Sequence, residues 1–98
     1  MMIPYSFRLG RMKYSVHTPT LMPSGCLGEV HYAAAVMKIA WVGRKGVART
    51  PTQRGETFWH EVTHAILHDM ENPLWKNEKF VTEFSKRLDQ VIRTAKLQ

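Results

Sequence analysis

Thr50-Pro51-Thr52-Gln53-Arg54-Gly55-Glu56-Thr57-Phe58-Trp59-His60-Glu61-Val62-Thr63-His64-Ala65-Ile66-Leu67-His68-Asp69 reads as one helix that carries chemistry. Its start is signalled by threonine at the N-cap, proline at the first helical position and glutamine at the third, a capping box with its proline. The helix is expected from about Pro51 to Asp69 or Met70, with Gly55 inside it at a cost of about 1 kcal/mol. His60 and His64 stand four apart with Glu61 after the first, the H-E-x-x-H spacing. At about 100° per residue, positions i and i+4 share a helix face, so two imidazoles can reach one metal ion. Glu61 then lies beside the metal, placed to take a proton from a water. Thr57, His60, Glu61, His64 and His68 fall on one face, while Phe58, Trp59, Val62, Ala65, Ile66 and Met70 occupy most of the rest. Such a helix is buried against a sheet and a second helix. Its polar stripe must face a cleft or a metal, because unpaired buried polar groups are costly.

Upstream, Tyr5, Phe7 and Leu9, then Met12, Tyr14 and Val16, alternate at period two around Gly10-Arg11, which predicts a short hairpin or bent strand. Pro4 confines its first half to an edge. Thr18-Pro19 through Pro23-Ser24-Gly25 is a loop by composition. Gly28 and Glu29 are expected just before a strand or turn. Val36 to Val42 is the clearest strand, ended by the turn Gly43-Arg44-Lys45-Gly46, with Val47 to Arg49 as a short returning partner. The alanines at 33 to 35 suit a helical turn. Downstream, Asn72-Pro73 suits a short turn of helix. Phe80, Val81, Phe84, Leu88, Val91, Ile92 and Ala95 form an apolar stripe that predicts a second helix over about 77–96. The fold class is therefore α+β: a small antiparallel sheet of about three strands in the N-terminal half, packed on the two helices.

Two histidines do not complete a catalytic zinc site, which usually has three protein ligands and an open position. Candidates for the third are Glu78, Glu83, His68, Asp69, His17 and His31. His68 lies one turn beyond His64, too far along the same helix to converge easily with His60. A carboxylate on an antiparallel second helix has better geometry. Glu78 is favoured over Glu83, being closer to the apolar stripe and nearer the inter-helix turn.

Ninety-eight residues make a single domain, 1–98. One cysteine, Cys26, excludes an internal disulfide and a CxxC zinc site. No long apolar run supports a membrane span, and Met1 to Leu9 lacks a signal-peptide core, so a cytoplasmic setting is expected. The formal net charge of +6 would suit nucleic acid or an acidic partner. The basic residues are scattered rather than clustered, which favours a solvated surface over a nucleic-acid interface.

Residues 58 to 69 resemble the active-site helix of the ImmA/IrrE-like metallopeptidases, with apolar residues and a further histidine, His68, after H-E-x-x-H. Asn77-Glu78-Lys79-Phe80-Val81-Thr82-Glu83-Phe84 is similar to the second zinc-binding segment of the gluzincins, and the C-terminal half looks like small phage-encoded proteins of this type. Glu78 matches the ligand and Phe84 the apolar position; Thr82 departs from the aspartate or asparagine found there. The resemblance implies a minimal zincin-like fold with His60, His64 and Glu78 holding zinc. It further implies Glu61 as the base in hydrolysis of a peptide bond by a zinc-activated water. The substrate would be an intracellular protein such as a transcriptional regulator. On this reading the strand Val36 to Val42 would be an edge that pairs with the substrate; His68, Tyr32 and His31 could serve as a second oxyanion donor, and no sequence context singles one of them out. The alternatives are a catalytically inactive zinc protein that binds a host protein, and a basic nucleic-acid-binding module.

Overall fold

The computed structural model describes residues 2–23, 25–43 and 46–98. Ser24 of the expected loop, and Arg44 and Lys45 of the expected turn, lie outside the described residues. Strands β1 (Ser6–Leu9) and β2 (Met12–His17) form the expected hairpin, with Leu9 opposite Met12. Gly10 takes the first loop position at φ 59, where tight hairpins call for left-handed backbone. Strands β3 (Gly28–His31) and β4 (Val36–Ile39) form a second antiparallel hairpin, closed by a turn that ends with Ala35 at φ 52.

The sheet has four strands in the order β1-β2-β4-β3, and β2 and β4 run parallel. The fold is α+β as expected; the sheet has four strands where about three were expected, and the β2–β4 pair makes it mixed instead of antiparallel. Gly28-Glu29 opens a strand instead of preceding one, and β4 folds back between β2 and β3. The parallel pairing joins segments about twenty residues apart, through contacts that local alternation does not encode. Strand β4 also ends earlier than expected. Beyond Ile39, Trp41 and Val42 donate their N–H groups to Pro19 and Thr20 carbonyls, so the chain is drawn to the loop after β2. The return at Val47–Arg49 is reduced to one bridge, Val42 to Ala48.

One face of the sheet lies on helix α1 (Pro51–Asp69). Tyr14 and Val16 of β2 and Met37 and Ile39 of β4 point inward by alternation and are buried. Val16, Met37 and Ile39 pack with Phe58 and Val62 of α1, and Tyr14 and Ala35 with Ala65. Phe7 bridges the layers, stacked on Tyr14 at 5.1 Å and edge-on to Phe58 at 6.0 Å. The capping box is formed: Thr50 Oγ1 accepts from Gln53 N at 3.1 Å, and Gln53 Oε1 accepts from Thr50 N at 2.9 Å. At the other end Glu71, at φ 56, stops the helix, with Glu71 N–H bonded to His68 O and Asn72 N–H to Leu67 O, a Schellman arrangement.

A single 3-10 turn, Pro73–Lys76, capped by Asn72, leads into helix α2 (Glu78–Thr94), capped by Asn77. Helix α2 packs back along α1 through one margin of the expected stripe, where Val81 is fully buried. The buried residues are Val81, Ser85 and Asp89. Phe84, Val91 and Ile92 of the stripe are 48%, 62% and 40% exposed. No helix among the described residues is long and apolar enough to cross a membrane.

Candidate metal centre and its carboxylate

Helix α1 brings His60 and His64 onto one turn-to-turn face, and α2 presents Glu78 from its first position. The atoms converge. His60 Nε2 and His64 Nε2 lie 3.2 Å apart, Glu78 Oε2 is 3.2 Å from His60 Nε2, and Glu78 Oε1 is 2.7 Å from His64 Nε2. His60, His64 and Glu78 thus form a group that could hold a metal ion. Tetrahedral coordination at the usual zinc bond lengths would space such donors by about 3.3 Å.

The hydrogen bonding behind the ligands sharpens the fit. His64 Nδ1–H donates to the Trp75 carbonyl at 2.6 Å. With its proton on Nδ1, a neutral His64 offers a lone pair at Nε2, as a metal ligand must. That lone pair faces a carboxylate oxygen at 2.7 Å and a second imidazole at 3.2 Å. Electron-pair donors this close repel one another unless a cation or a proton lies between them. Two imidazole nitrogens and a carboxylate are also a recognised catalytic zinc donor set, so the residues fit the ion.

Glu61 sits on the same helix, 8% exposed. Burial first, then the charges of Glu78 and Glu29, push its carboxyl up from 4.5 to about 7. His60 is held below its ordinary value by burial, and further by His64, with Glu78 opposing. Glu61 also lies against the sheet: a Cβ added at Gly28 would be 2.6 Å from Thr57 Cγ2 and 3.1 Å from Glu61 Cγ. Gly28 is therefore needed for close approach of β3 to α1. Thr57 is fixed by Arg49, whose guanidinium donates to Thr57 Oγ1 and to the carbonyls of Gln53 and Ala40.

These groups line a cleft of about 950 Å3, walled by Cys26, Leu27 and Gly28 on one side and by Thr82, Ser85 and Lys86 on the other. Strand β3 is the edge beside it. The expected edge, Val36 to Val42, is instead the interior strand β4, flanked by β2 and β3. Ala40 donates to Leu27 O at 2.8 Å. By antiparallel alternation the N–H and C=O groups of Gly28 and Val30 then point to the open edge.

The other candidates lie elsewhere. His68 is stacked on Tyr32 at 3.9 Å and meets Trp75 edge-on, lining a different cleft with Asp69. His31 is exposed and bonds Glu29 at 3.1 Å, and His17 is exposed at the end of β2. Glu83 is exposed and lines neither cleft. Tyr32 is pushed up to about 12, by burial first and then by Glu61, Tyr14 and Glu78. The Trp75 carbonyl escaped the sequence reading, because a backbone acceptor has no side-chain signature. Gly28 did carry one, as a glycine at the head of a strand. No family model, no curated protein and no solved structure matches this chain.

Proposed function

We propose that this chain is a zinc-dependent metalloendopeptidase of the ImmA/IrrE-like kind, acting on an intracellular protein such as a transcriptional regulator. The observation that carries the reading is the meeting, in one cleft, of the His60, His64 and Glu78 donors with the buried carboxyl of Glu61. A carboxyl held beside the donors, one residue from a ligand, is placed to take and return a proton.

His60, His64 and Glu78 would hold zinc, and His64 is oriented for it by the Trp75 carbonyl. A bound zinc ion supplies Lewis acidity, enough to bring the pKa of water down to about 7. Glu61 takes the proton of the attacking water and delivers it to the leaving nitrogen. An extended substrate pairs with the open backbone groups of Gly28 and Val30 on β3, which holds its scissile carbonyl over Glu61.

The experiment compares zinc content and cleavage of an unstructured peptide mixture across variants. Glu61→Gln should keep its zinc and lose roughly a hundred- to ten-thousand-fold in hydrolysis rate. His60→Ala should lose both. Hydrolysis by Glu61→Gln at the rate of the unaltered chain would sink the peptidase reading.

A second reading has its own support. His68 and Tyr32 are locked against each other, and the residues lining the cleft supply no further histidine or tyrosine to meet charge on an attacked carbonyl. On this reading the metal serves folding or host-protein binding. Biological activity then survives Glu61→Gln and is lost in His60→Ala.

A further inference from the structure

Helix α2 leaves much of its apolar stripe uncovered: Val81 is buried and Phe80 and Leu88 are half-buried, but the rest lies at the surface. Phe80 and Phe84 stack at 5.7 Å along it, followed by Leu88, Val91 and Ile92. Phe84, Val91 and Ile92 are 48%, 62% and 40% exposed, while Val81, Ser85 and Asp89 face α1. The cleft opens on the other flank of α2, through Glu78, Thr82, Ser85 and Lys86, so the stripe takes no part in the metal centre. Contiguous exposed apolar surface on one helix marks an interaction site.

We propose that this face binds a second copy of the chain, with the two α2 helices antiparallel across a two-fold axis level with Lys86. The stripe is self-complementary about that point. Phe80 and Ile92 are equidistant from it, as are Phe84 and Leu88, so each meets the other's counterpart. Glu83 and Arg87 lie on the open margin of the stripe, and the antiparallel copy returns each within a turn of its opposite charge. An anionic bilayer or an acidic helix would instead place negative charge against Glu83. A helix of this length presents a stripe about 25 Å long. Covering it twice buries on the order of 1,000 Å2, the size of a weak, reversible interface. With a formal net charge of +6 on each copy, the two repel at long range. Added salt therefore tightens this association, whereas it weakens binding to an acidic partner or an anionic surface.

Sedimentation equilibrium of the intact chain from about 1 to about 200 µM, the range suited to a small interface, tests the proposal at low and high salt. The expected result is a monomer–dimer equilibrium that tightens with salt. Phe84→Glu and, independently, Val91→Glu should each weaken it at least about tenfold while leaving the helical circular dichroism and zinc content unchanged. Arg87→Glu alone should weaken it, and adding Glu83→Arg to that variant should restore it. A monomer at every concentration overturns the proposal, as does a dimer indifferent to both glutamate substitutions. So does association seen only with phosphatidylglycerol vesicles or only with an acidic amphipathic peptide and lost in salt.

Discussion

Helices α1 and α2 lie side by side at nearly equal length, and they bury themselves differently. Helix α1 buries Phe58, Val62 and Ala65 against the sheet, together with Glu61, Thr63 and His64. Helix α2 buries Val81, Ser85 and Asp89, and leaves two phenylalanines and two β-branched residues at the surface or half covered. At about 100° per residue, the centre of the apolar stripe and the centre of the buried face of α2 differ by roughly a quarter of a turn. Glu78 lies on the buried side, between the directions of Ser85 and Asp89. Aiming Glu78 at His60 and His64 thus turns the stripe away from α1. In α1 the apolar and chemical faces are different sectors of one cylinder and both find partners. In α2 the ligand and the stripe compete for the same direction, and the ligand sets the angle.

The largest effect that could break this contrast is in the core. Phe58→Ala should cost about 3 to 5 kcal/mol of unfolding free energy, because Phe58 fills the space between α1 and the sheet. Phe84→Ala, in dilute protein, should cost no more than about 0.5 kcal/mol, as expected for a surface site. Urea denaturation of both variants measures the difference. Equal losses would mean that α2 packs by its stripe after all, and that Glu78 does not set its angle.

That contrast also separates what was legible in the sequence from what was not. The capping box, Pro51 and the H-E-x-x-H spacing are local, and they place α1 within a residue of its observed ends. The β1–β2 hairpin is local too, set by alternation and by Gly10. The existence of α2 followed from its stripe, but its rotation did not. Periodicity identifies an apolar face, while the direction of that face is decided by what the neighbouring helix requires. The insertion of β4 between β2 and β3, and with it the identity of the edge strand beside the cleft, depends on long-range pairing. Of the donor set, the histidine pair was fixed by spacing. Glu78 rested on an expected helix–helix approach, and the structure brings it to the pair.

A smaller effect follows from the charge that α1 buries. Glu61 has its pKa raised in the folded metal-free chain from 4.5 to about 7. Between those values the unfolded chain releases a proton that the folded chain retains, so stability falls as pH rises through that window and levels off above it. Glu61→Gln removes the dependence. At pH 8 and free of metal, it should be more stable than the unaltered chain by about 3 kcal/mol, and the difference should vanish near pH 4. Thermal unfolding across pH measures it. A difference that persists at pH 4 would assign the gain to packing and not to the buried charge.

The smallest predicted change distinguishes the two helices most cleanly. Each begins with a capping side chain, Thr50 for α1 and Asn77 for α2. Truncating either to alanine should cost about 1 kcal/mol of stability. The consequences for the metal should differ. Thr50 lies almost three turns before His60, on a helix held along its length by the sheet, so Thr50→Ala should leave zinc affinity unchanged. Asn77 directly precedes Glu78, on a helix that buries only Val81, Ser85 and Asp89. Fraying that first turn releases the carboxylate from the histidines, so Asn77→Ala should weaken zinc binding in a competition titration against a chromophoric chelator. Since the ligand can then exist in frayed and docked states, the loss in affinity should follow the undocked fraction, at most about fivefold for a cap of about 1 kcal/mol. Unchanged affinity in Asn77→Ala would show that Glu78 is held by its histidine contacts rather than by the helix that carries it.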